Sequence, residues 1–418
     1  MKKIKKDSLT HIIVAANDII RRNYHEIQDG GILRCGWHNF FENKVGIPGA
    51  SLPLLYFYEI GDVEPNSDRI LNFINQVILS DSSGRTGWTI LSVPNVLTLE
   101  GSVLPLRALY DLGKYKFKDS VDKVLDWIMQ VQNSDGGWNS GASKSDESRI
   151  QLTCNVIELL LKIKNEKTMP ALEQAMEWVA LCQQADKGWG AVKQPPFSHV
   201  FFTARVVLCL AKYDYNKYKK EIVEGIKYIE RNISYDDTRR YFLETYDIHF
   251  AGGYNRITME HDTMAAVLNL VAFLPKYFSS SFLFGVLENI VNYYNKFGFV
   301  NQVTNKQSIW TVIPLATSIN NIINFMMPDT RTEWYLLFDS IKSDFDGRYI
   351  NSFHFVLKWI FRNVPRKMIF FWPAFVLCIV ICSLFWGGII TMKDLVLSIL
   401  FPIVLFLLGL IPSHPRSN

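Results

Sequence analysis

The stretch QNSDGGW, Gln132 to Trp138, ends in a glycine–tryptophan pair that recurs along the chain. One copy would indicate only a tight turn, because Asn, Ser, Asp and Gly are common turn residues. The pairs are Gly36-Trp37, Gly87-Trp88, Gly137-Trp138 and Gly188-Trp189, at intervals of 51, 50 and 51 residues. A period of about 50 residues leaves room for two helices and two connections, so it predicts a repeated helical hairpin.

Each unit contains two kinds of segment. SHVFFTARVVLCLAKY (198–213) is apolar on nearly all sides, as expected of a helix buried by neighbours on two sides. YKKEIVEGIKYIERN (218–232) keeps a charged face, as expected of a helix that borders solvent. The alternation predicts inner and outer helices, with Trp138 packed between neighbouring outer helices.

Weaker units complete the pattern at both ends. MEHDTMAAVLNLVAFL and QSIWTVIPLATSINNIINF supply the fifth and sixth inner helices, and Gly298-Phe299 stands where a Gly-Trp pair is expected. LTHIIVAANDIIRRNYHEIQ, near the start, supplies the first outer helix. Six inner and six outer helices can close a ring in which the last inner helix meets the first outer one. We therefore predict an all-α fold, an α6/α6 toroid over about residues 8–327 within a domain of residues 1–327.

The C-terminal part has a different composition. Residues 368–390 are 23 residues without a charge, and as a helix they would reach about 35 Å, enough to cross a bilayer. Residues 395–411 form a second apolar run after the short connection TMKD. We predict a transmembrane hairpin at 368–411, preceded by an amphipathic, basic, membrane-proximal linker at 328–367 and followed by a short tail at 412–418. The alternative is a helical hairpin buried in a soluble protein.

Charge and cysteine content indicate a compartment. Arg362, Arg366 and Lys367 flank one end of the hairpin and Arg416 the other. The positive-inside rule then predicts a multi-pass protein of the cytoplasmic (inner) membrane, with both termini and the toroid in the cytoplasm. The six cysteines show no paired spacing, which fits a reducing compartment. The net charge of +4 gives no broad basic field for nucleic acid, so the expected partners are the lipid bilayer and a second copy or another subunit.

Several of these segments resemble a known superfamily. QNSDGGW, CQQADKGWG, SHVFFTA and HDTMAA are similar to the QW-type repeats of terpenoid cyclases and protein prenyltransferases. In that superfamily the repeats build an α/α barrel around a cavity lined with aromatic side chains, which binds an isoprenoid. The resemblance implies a terpenoid cyclase-like isomerase or a prenyl-group transferase with an isoprenoid or other lipidic ligand.

The resemblance also suggests a proton donor. Class II cyclases of the family protonate an alkene or epoxide with an aspartate of a D-x-D-D motif, and EHDT (260–263) is the nearest match. One register gives Asp262 the role of proton donor, with Glu260 and His261 as neighbours that tune its acidity. A second register, which matches Thr263 to Thr153 and Thr203, puts His261 in that position. The alternative for Asp262 is a helix cap.

A metal centre is not expected. Protein prenyltransferases hold zinc with Asp, Cys and His, and the nearest pattern here is CGWH, with Cys35 and His38 three residues apart. Two ligand types without further ligands nearby are weak support for zinc. We predict neither metal nor cofactor.

Further candidates for ligand binding lie near the inner-helix starts and in a long connection. Glu100 falls where other units have threonine, and either faces the cavity or pairs with Arg107. His199, Arg205 and Trp310 lie near the starts of inner helices and are expected to line the same mouth. The loop at 234–256 contains Tyr246, Phe250 and Tyr254, which are expected to stack on an isoprenoid or stabilise a cation. The alternative for this loop is a lid packed over the barrel end.

Two hypotheses of function follow. The first is a membrane-anchored cyclase-like protein that acts on or binds a lipidic ligand in the barrel. The second is a catalytically inactive toroid that senses a ligand or protein and passes binding to the transmembrane hairpin. The departure from D-x-D-D favours the second hypothesis, and the acidic start of the fifth inner helix favours the first.

Overall fold

The computed structural model describes residue 4 and residues 6–38, 45–62, 64–90, 96–113, 115–140, 147–250, 253–302 and 304–326. All of them belong to one compact unit, Met1–Ile341. The inner helices are α2 (Ile47–Glu59), α4 (Leu99–Gly113), α6 (Ile150–Ile163), α8 (Val200–Asp214), α10 (Thr263–Phe273) and α12 (Ile309–Met326). The outer helices are α1 (Lys6–Arg22), α3 (Ser67–Gln76), α5 (Lys118–Gln130), α7 (Met169–Leu181), α9 (Lys219–Asn232) and α11 (Ser280–Phe297).

The inner helices form a closed ring. Each contacts the next, from α2 through α4, α6, α8 and α10 to α12, and α12 contacts α2 again. Each outer helix from α3 to α11 packs on the inner helix before it, and α1 packs on α12. The predicted ring of six inner and six outer helices, closed by the last inner and first outer helix, is confirmed for the described residues.

The two helix types bury different faces. Inner helix α8 buries eleven of its residues, which is possible because neighbours cover it on several sides. Outer helix α9 buries one stripe, Ile222, Gly225, Ile226, Tyr228 and Ile229, at the three- and four-residue spacing of a helix face. Its Lys and Glu residues occupy the remaining surface. Burial therefore follows the apolar and amphipathic patterns of the sequence.

The Gly-Trp tryptophans terminate the outer helices. All four are fully buried. Each indole Nε1–H donates to a carbonyl two residues before the end of the preceding outer helix, where backbone acceptors lack intrahelical partners. The bonds are Trp37 to Ile20 (2.6 Å), Trp88 to Ile74 (2.8 Å), Trp138 to Ile128 (2.8 Å) and Trp189 to Val179 (2.6 Å). The Gly-Trp pair therefore recurs because, in each of these units, the indole N–H supplies a hydrogen-bond donor to a backbone carbonyl in the last turn of the outer helix.

The geometry of the turn before Trp138 accounts for the presence of Gly136 and Asp135. Gly136 has a φ of +96°, and a Cβ there would lie 2.7 Å from the Gln174 carbonyl oxygen of α7. Asp135 Oδ1 accepts from the Gly137 N–H at 3.0 Å and from the Ser148 hydroxyl at 2.7 Å. The fourth unit repeats this arrangement with Asp186, Gly188 and Ser198.

Short strands interrupt the helical pattern. The first outer helix ends at Arg22, before the predicted end, and is followed by an antiparallel pair, β1 (His25–Asp29) and β2 (Ile32–Gly36). A two-residue pair, β3 (Leu79–Ser80) and β4 (Thr86–Gly87), follows α3.

The prediction that residues 234–256 form a loop is wrong for most of the segment. Residues 241–250 and 253–256 of this segment belong to an antiparallel hairpin, β5 (Tyr241–Phe250) and β6 (Gly253–Asp262), whose last residue, Asp262, caps α10. Glu244 is buried between exposed Leu243 and Thr245. The sequence does not show the alternation of apolar and polar residues that is typical of a strand, because glutamate occupies a buried position.

The predicted linker (328–367), transmembrane hairpin (368–411) and tail (412–418) lie outside the described residues. None of the described helices combines the length and the hydrophobicity needed to cross a bilayer. Cys35, Cys154, Cys182 and Cys209 are free and buried.

Candidate functional site

A cavity of about 250 Å³ is lined by the N-terminal and middle turns of all six inner helices. Its walls differ in polarity. The apolar residues come mainly from α2, α4, α10 and α12: Pro48, Leu52, Val103, Leu104, Ala265, Ala266, Trp310 and Pro314. The polar residues come mainly from α4, α6, α8 and the end of β6: Glu100, Arg107, Gln151, Asn155, Glu158, Arg205, Glu260, His261 and Asp262.

This lining differs from the one that the resemblance implies. Phe201 and Trp310 contribute aromatic rings besides the His261 imidazole, whereas α6 contributes amide and carboxylate groups. The cavity is therefore amphipathic, with a small aromatic share.

Asp262 lines the cavity as an acceptor. Its Oδ1 accepts from the backbone N–H groups of Met264 (2.9 Å) and Ala265 (3.1 Å) and caps α10. Its Oδ2 accepts from Arg240 Nε (3.2 Å) and Nη2 (2.8 Å), and both side chains are almost fully buried. Guanidinium and amide donors stabilise the ionised carboxylate, so the geometry is that of a helix cap in a buried ion pair.

His261 is held by a buried carboxylate from the other strand of the hairpin. Its Nε2 lies 3.0 Å from Glu244 Oε2, and its ring stacks on Phe201 at 4.3 Å between centroids. Glu244 Oε1 accepts from Arg149 Nε (3.1 Å) and Nη2 (2.6 Å). Burial raises the pKa of Glu244, but the hydrogen bond and charge of His261, together with Arg149, outweigh it and lower the pKa below its usual value. The hairpin thereby fixes one edge of the cavity.

Glu260 was predicted to act beside Asp262 and His261. It lines the cavity, and its Oε2 accepts from Asn301 Nδ2 at 2.8 Å. The structure therefore brings Asp262, Glu260 and His261 to one cavity, each with a different partner.

A second polar network crosses α6 and α8. Arg205 donates to both carboxylate oxygens of Glu158 (3.1 and 3.0 Å) and to Asn155 Oδ1 (2.8 Å). Gln151 Nε2 donates to the same Asn155 oxygen at 3.3 Å. Burial raises the pKa of Glu158, but the charges of Arg205 and two further cations bring it to about 2. This wall is charged, paired and fixed in geometry.

Glu100 and Trp310 line the cavity as predicted, but Glu100 has a different place in its repeat. Ser102 is the counterpart of Thr153 and Thr203, because all three are the fourth helical residue and accept from the backbone N–H of the preceding Gly-Trp tryptophan, at 2.9, 2.9 and 3.0 Å. Thr263 is the first residue of α10 and is not their counterpart. The register that depends on Thr263 loses its basis.

Arg107 pairs with the carboxylates of Glu59 and Asp111. It lines the cavity beside Glu100. Of the two alternatives for Glu100, the structure thus favours the one in which it faces the cavity.

Two of the remaining predicted binding residues, His199 and Tyr254, lie outside the cavity lining. His199 caps α8, with Nδ1 accepting from Phe201 N–H at 3.1 Å, and its ring lies 4.4 Å from that of Phe242. Burial, with a smaller contribution from His261, lowers the pKa of His199 to about 4. Tyr254 is exposed near the tip of the hairpin. The side chains of Tyr246 and Phe250 lie outside the described part of the chain.

Cys35 and His38 have different surroundings. Cys35 is buried, and burial raises its pKa to about 11. His38 stacks on His25 at 4.2 Å between centroids. Across the described residues no group of three or more His, Cys, Asp or Glu side chains is placed to hold a metal ion.

Of the residues that hold this site in place, the sequence indicated Arg205 as lining the mouth, whereas Arg240, Glu244 and Glu158 were missed. Arg240 and Glu244 lie in the segment interpreted as a loop, and their partners are distant in sequence. Glu158 and Arg205 gave a usable signal, since each is a charge within an otherwise apolar inner helix. Buried charges of this kind are expected to be paired.

Comparisons with solved structures give matches at low sequence identity. No family model and no curated protein matches the chain. An ent-copalyl diphosphate synthase from Streptomyces platensis matches with a TM-score of 0.33 and 14% identity over 44% of each chain, so the match spans less than half of that protein. A variant of the type II terpene cyclase MstE from Scytonema, in its apo form, matches with a TM-score of 0.48 and 8% identity, over 77% of this chain and 99% of that one. A family 76 glycoside hydrolase from a bovine Bacteroides thetaiotaomicron strain matches with a TM-score of 0.49 and 12% identity, over 79% of this chain and 78% of that one.

Proposed function

We propose that this cyclase-like toroid binds an isoprenoid or another small lipidic molecule with a polar end in its central cavity. The observation that carries the proposal is the division of the cavity into an apolar wall, with Leu52, Trp310 and Pro314, and a polar wall, with Gln151 and Glu158. Such a division matches a molecule that is itself amphipathic.

The apolar wall supplies affinity. Ligand pockets are mostly apolar, and burial of apolar surface contributes roughly 25 cal/mol per Å² before the costs of association. The volume of about 250 Å³ is small compared with common ligand pockets of roughly 300–1,000 Å³. This size favours a short hydrocarbon portion over a long polyprenyl chain.

The polar wall supplies orientation. The Arg205–Glu158 and Arg149–Glu244 ion pairs fix these side chains in place, so they need little rearrangement on binding.

Proton-initiated cyclisation is the second candidate. It is favoured by one observation, the placement of Asp262, Glu260 and His261 on a single cavity. A proton donor must carry its proton, whereas the Arg240 guanidinium stabilises the ionised form of Asp262. Ligand binding is therefore the better supported function.

We further propose from the sequence that residues 368–411 anchor the chain in the cytoplasmic membrane, with the toroid on the cytoplasmic side. A ligand taken from the bilayer would then reach the cavity without dissolving in water. Assembly through the hairpin, with a second copy or another subunit, is part of the same proposal.

Titration of the full chain in lipid nanodiscs with geraniol, a ten-carbon isoprenoid alcohol, tests binding by calorimetry. Leu52→Trp fills the cavity, and Leu181→Trp makes the same change at an exposed position. The wild type and Leu181→Trp should bind geraniol, and Leu52→Trp should not. Equal binding by all three chains would place the ligand outside the cavity.

Product analysis tests the second candidate. Lipid extracts after incubation with geraniol or longer isoprenoids should contain no cyclised product. A new product that disappears in Asp262→Asn would establish cyclisation in place of simple binding.

A further inference from the structure

We infer that one face of the toroid docks on an anionic lipid bilayer. The face consists of the connections that leave inner helices α4, α6, α8 and α10, together with the helix ends beside them, and is called the basic face below. The inference rests on the proposed membrane anchoring and deepens it, because it names the side of the toroid that meets the bilayer. It is independent of the ligand of the cavity.

These connections share one face because the inner helices run in the same direction. Asp111 and Lys162 stand close to the ends of α4 and α6, and their side chains pair at 2.7 Å. Tyr215 and Tyr277 follow α8 and α10, and their rings stack at 5.3 Å between centroids. The described parts of the connections are residues 115–117, 164–168, 215–218 and 274–279.

The basic face has an excess of positive charge. The described parts of its connections contain five lysines and one acidic residue: Lys116, Lys164, Lys167, Lys217, Lys276 and Glu166. The connections that leave α5, α7 and α9 lie at the other face and contain equal numbers of both signs over residues 131–140, 147–149, 182–199 and 233–240. The acidic residues there are Asp135, Glu147, Asp186, Asp236 and Asp237, and the basic ones are Arg149, Lys187, Lys193, Arg239 and Arg240. Positive charge is therefore concentrated at one end of the ring.

Several lysines of the basic face lack a carboxylate partner among the described residues. The adjoining helix ends add exposed Lys118, Lys162, Lys212, Lys219 and Lys220, against Asp119, Asp214 and Glu221. In the described part of the chain, no carboxylate oxygen lies within 4.0 Å of Lys116, Lys164, Lys219, Lys220 or Lys276. The connection after α2 contains Asp62 and Glu64 and no basic residue, so the basic face is limited to the sector from α4 to α11.

Aromatic side chains lie between the lysines. Tyr115 is 93% exposed, and Phe273, the last residue of α10, is 45% exposed. Lys276 Nζ lies 5.0 Å from the ring centroid of Tyr277 and 5.7 Å from that of Tyr215. Amphipathic aromatic rings are enriched at the headgroup level of membranes, and lysines near the surface attract anionic headgroups. The composition of the basic face therefore fits an anionic bilayer.

The end of α12 lies at the same side of the ring. α12 runs parallel to α10, because Trp310 and Ala265, near the starts of the two helices, line the same cavity. Its last residue, Met326, is thus at the side of the basic face, and the sequence continues from there to the proposed anchor at 368–411. Nucleic acid is the other anionic partner of basic surfaces. The exit of the chain toward an anchor, with exposed aromatic side chains beside it, favours the bilayer.

Quenching of a fluorophore by spin-labelled lipids tests the orientation of the toroid. The four described cysteines are buried, so the full chain with Cys378→Ser and Cys382→Ser is labelled only at an added cysteine. Tyr115→Cys places the label on the basic face, and Phe197→Cys places it at a 60% exposed aromatic position of the other face. In nanodiscs that contain phosphatidylserine and doxyl-labelled lipid, the label at 115 should be quenched and the label at 197 should not. Nanodiscs of phosphatidylcholine alone should quench the label at 115 much less.

Matched charge variants test the role of the lysines. Lys219→Gln with Lys220→Gln removes two exposed charges from the basic face, and Lys193→Gln with Arg239→Gln removes two from the other face. The docking equilibrium, measured from the quenched fraction at position 115, should fall about fivefold for each lysine lost, or about 25-fold in the first variant. The second variant should match the wild type. Thermal unfolding of both variants controls for folding.

The outcomes separate this inference from the proposals on which it rests. Equal quenching at positions 115 and 197, or quenching at 115 that is as strong in phosphatidylcholine, would overturn the inference and leave the anchor and the binding function standing. A full chain that does not enter nanodiscs would overturn both the inference and the anchor. Binding of duplex DNA that is lost in Lys219→Gln with Lys220→Gln, without lipid quenching at 115, would make the basic face a nucleic-acid surface instead.

Discussion

Replacing Asp262 by asparagine distinguishes a structural ion pair from a proton donor. Asp262 and Arg240 are 0% and 1% exposed at their side chains, and the carboxylate accepts from two guanidinium nitrogens. Removing one partner of a buried pair leaves an uncompensated charge, at a cost of about 3–5 kcal/mol. We expect Asp262→Asn to lower the free energy of unfolding by about this amount.

The cap contributes separately. Asparagine keeps the oxygen that accepts from the N–H groups of Met264 and Ala265, whereas alanine removes it. Asp262→Ala should therefore cost about 1 kcal/mol more than Asp262→Asn. Replacing Arg240 by methionine together with Asp262→Asn should recover part of the loss, since no buried charge then lacks a partner.

Thermal and urea unfolding of the full chain in nanodiscs, followed by tryptophan fluorescence, measures these differences. Asp122→Asn is the matched control, because the Lys118–Asp122 pair is exposed and should contribute little. An Asp262→Asn variant as stable as the wild type would refute the reasoning. That result is what a protonated Asp262 predicts, since the amide resembles a neutral carboxyl group.

Three further predictions concern the repeat, the polar wall and the membrane. Trp138→Phe should cost about 1–3 kcal/mol more than Trp178→Phe in urea unfolding, because the Trp138 indole donates to a buried carbonyl while the Trp178 indole has no partner in the described part of the chain. The pKa of Glu158 in the folded chain is lowered to about 2, compared with about 4.3 in the unfolded chain. The stabilisation that its ion pair with Arg205 contributes is therefore fully present above a pH of about 4.3 and is lost as the pH falls toward 2. The stability difference between the wild type and Glu158→Gln should shrink over that interval in circular dichroism melts, and a difference independent of pH would contradict the assignment. Carbonate-washed membranes should retain the full chain and release a chain lacking residues 368–418, and a full chain found in the supernatant would argue against the anchor.

The ring of helices could be predicted from the sequence because its units repeat. The interval between Gly-Trp pairs and the alternation of apolar and amphipathic segments both report local helix burial, which depends on neighbours close in sequence. The hairpin before α10 was missed because buried Glu244 interrupts the apolar alternation of β5. Gly253, at the start of β6, was the remaining turn signal.

The residues of the candidate site could be predicted from the sequence only in part. Asp262, Glu260 and His261 are adjacent in sequence and reach one cavity, together with Glu100 and Trp310. The orientation of these three side chains depends on partners 17 to 41 residues away, such as Arg240 and Asn301, which no local pattern identifies. The family resemblance implied an aromatic cavity, whereas the charged residues in apolar helices indicated the polar wall.

The most direct test of the central claim is an experimental structure of the full chain in nanodiscs with geraniol. We predict ligand density between the apolar wall at Leu52 and Trp310 and the polar wall at Gln151, with the hydroxyl directed toward the polar wall. A cavity filled by its own side chains, or geraniol bound only outside the ring, would contradict the account.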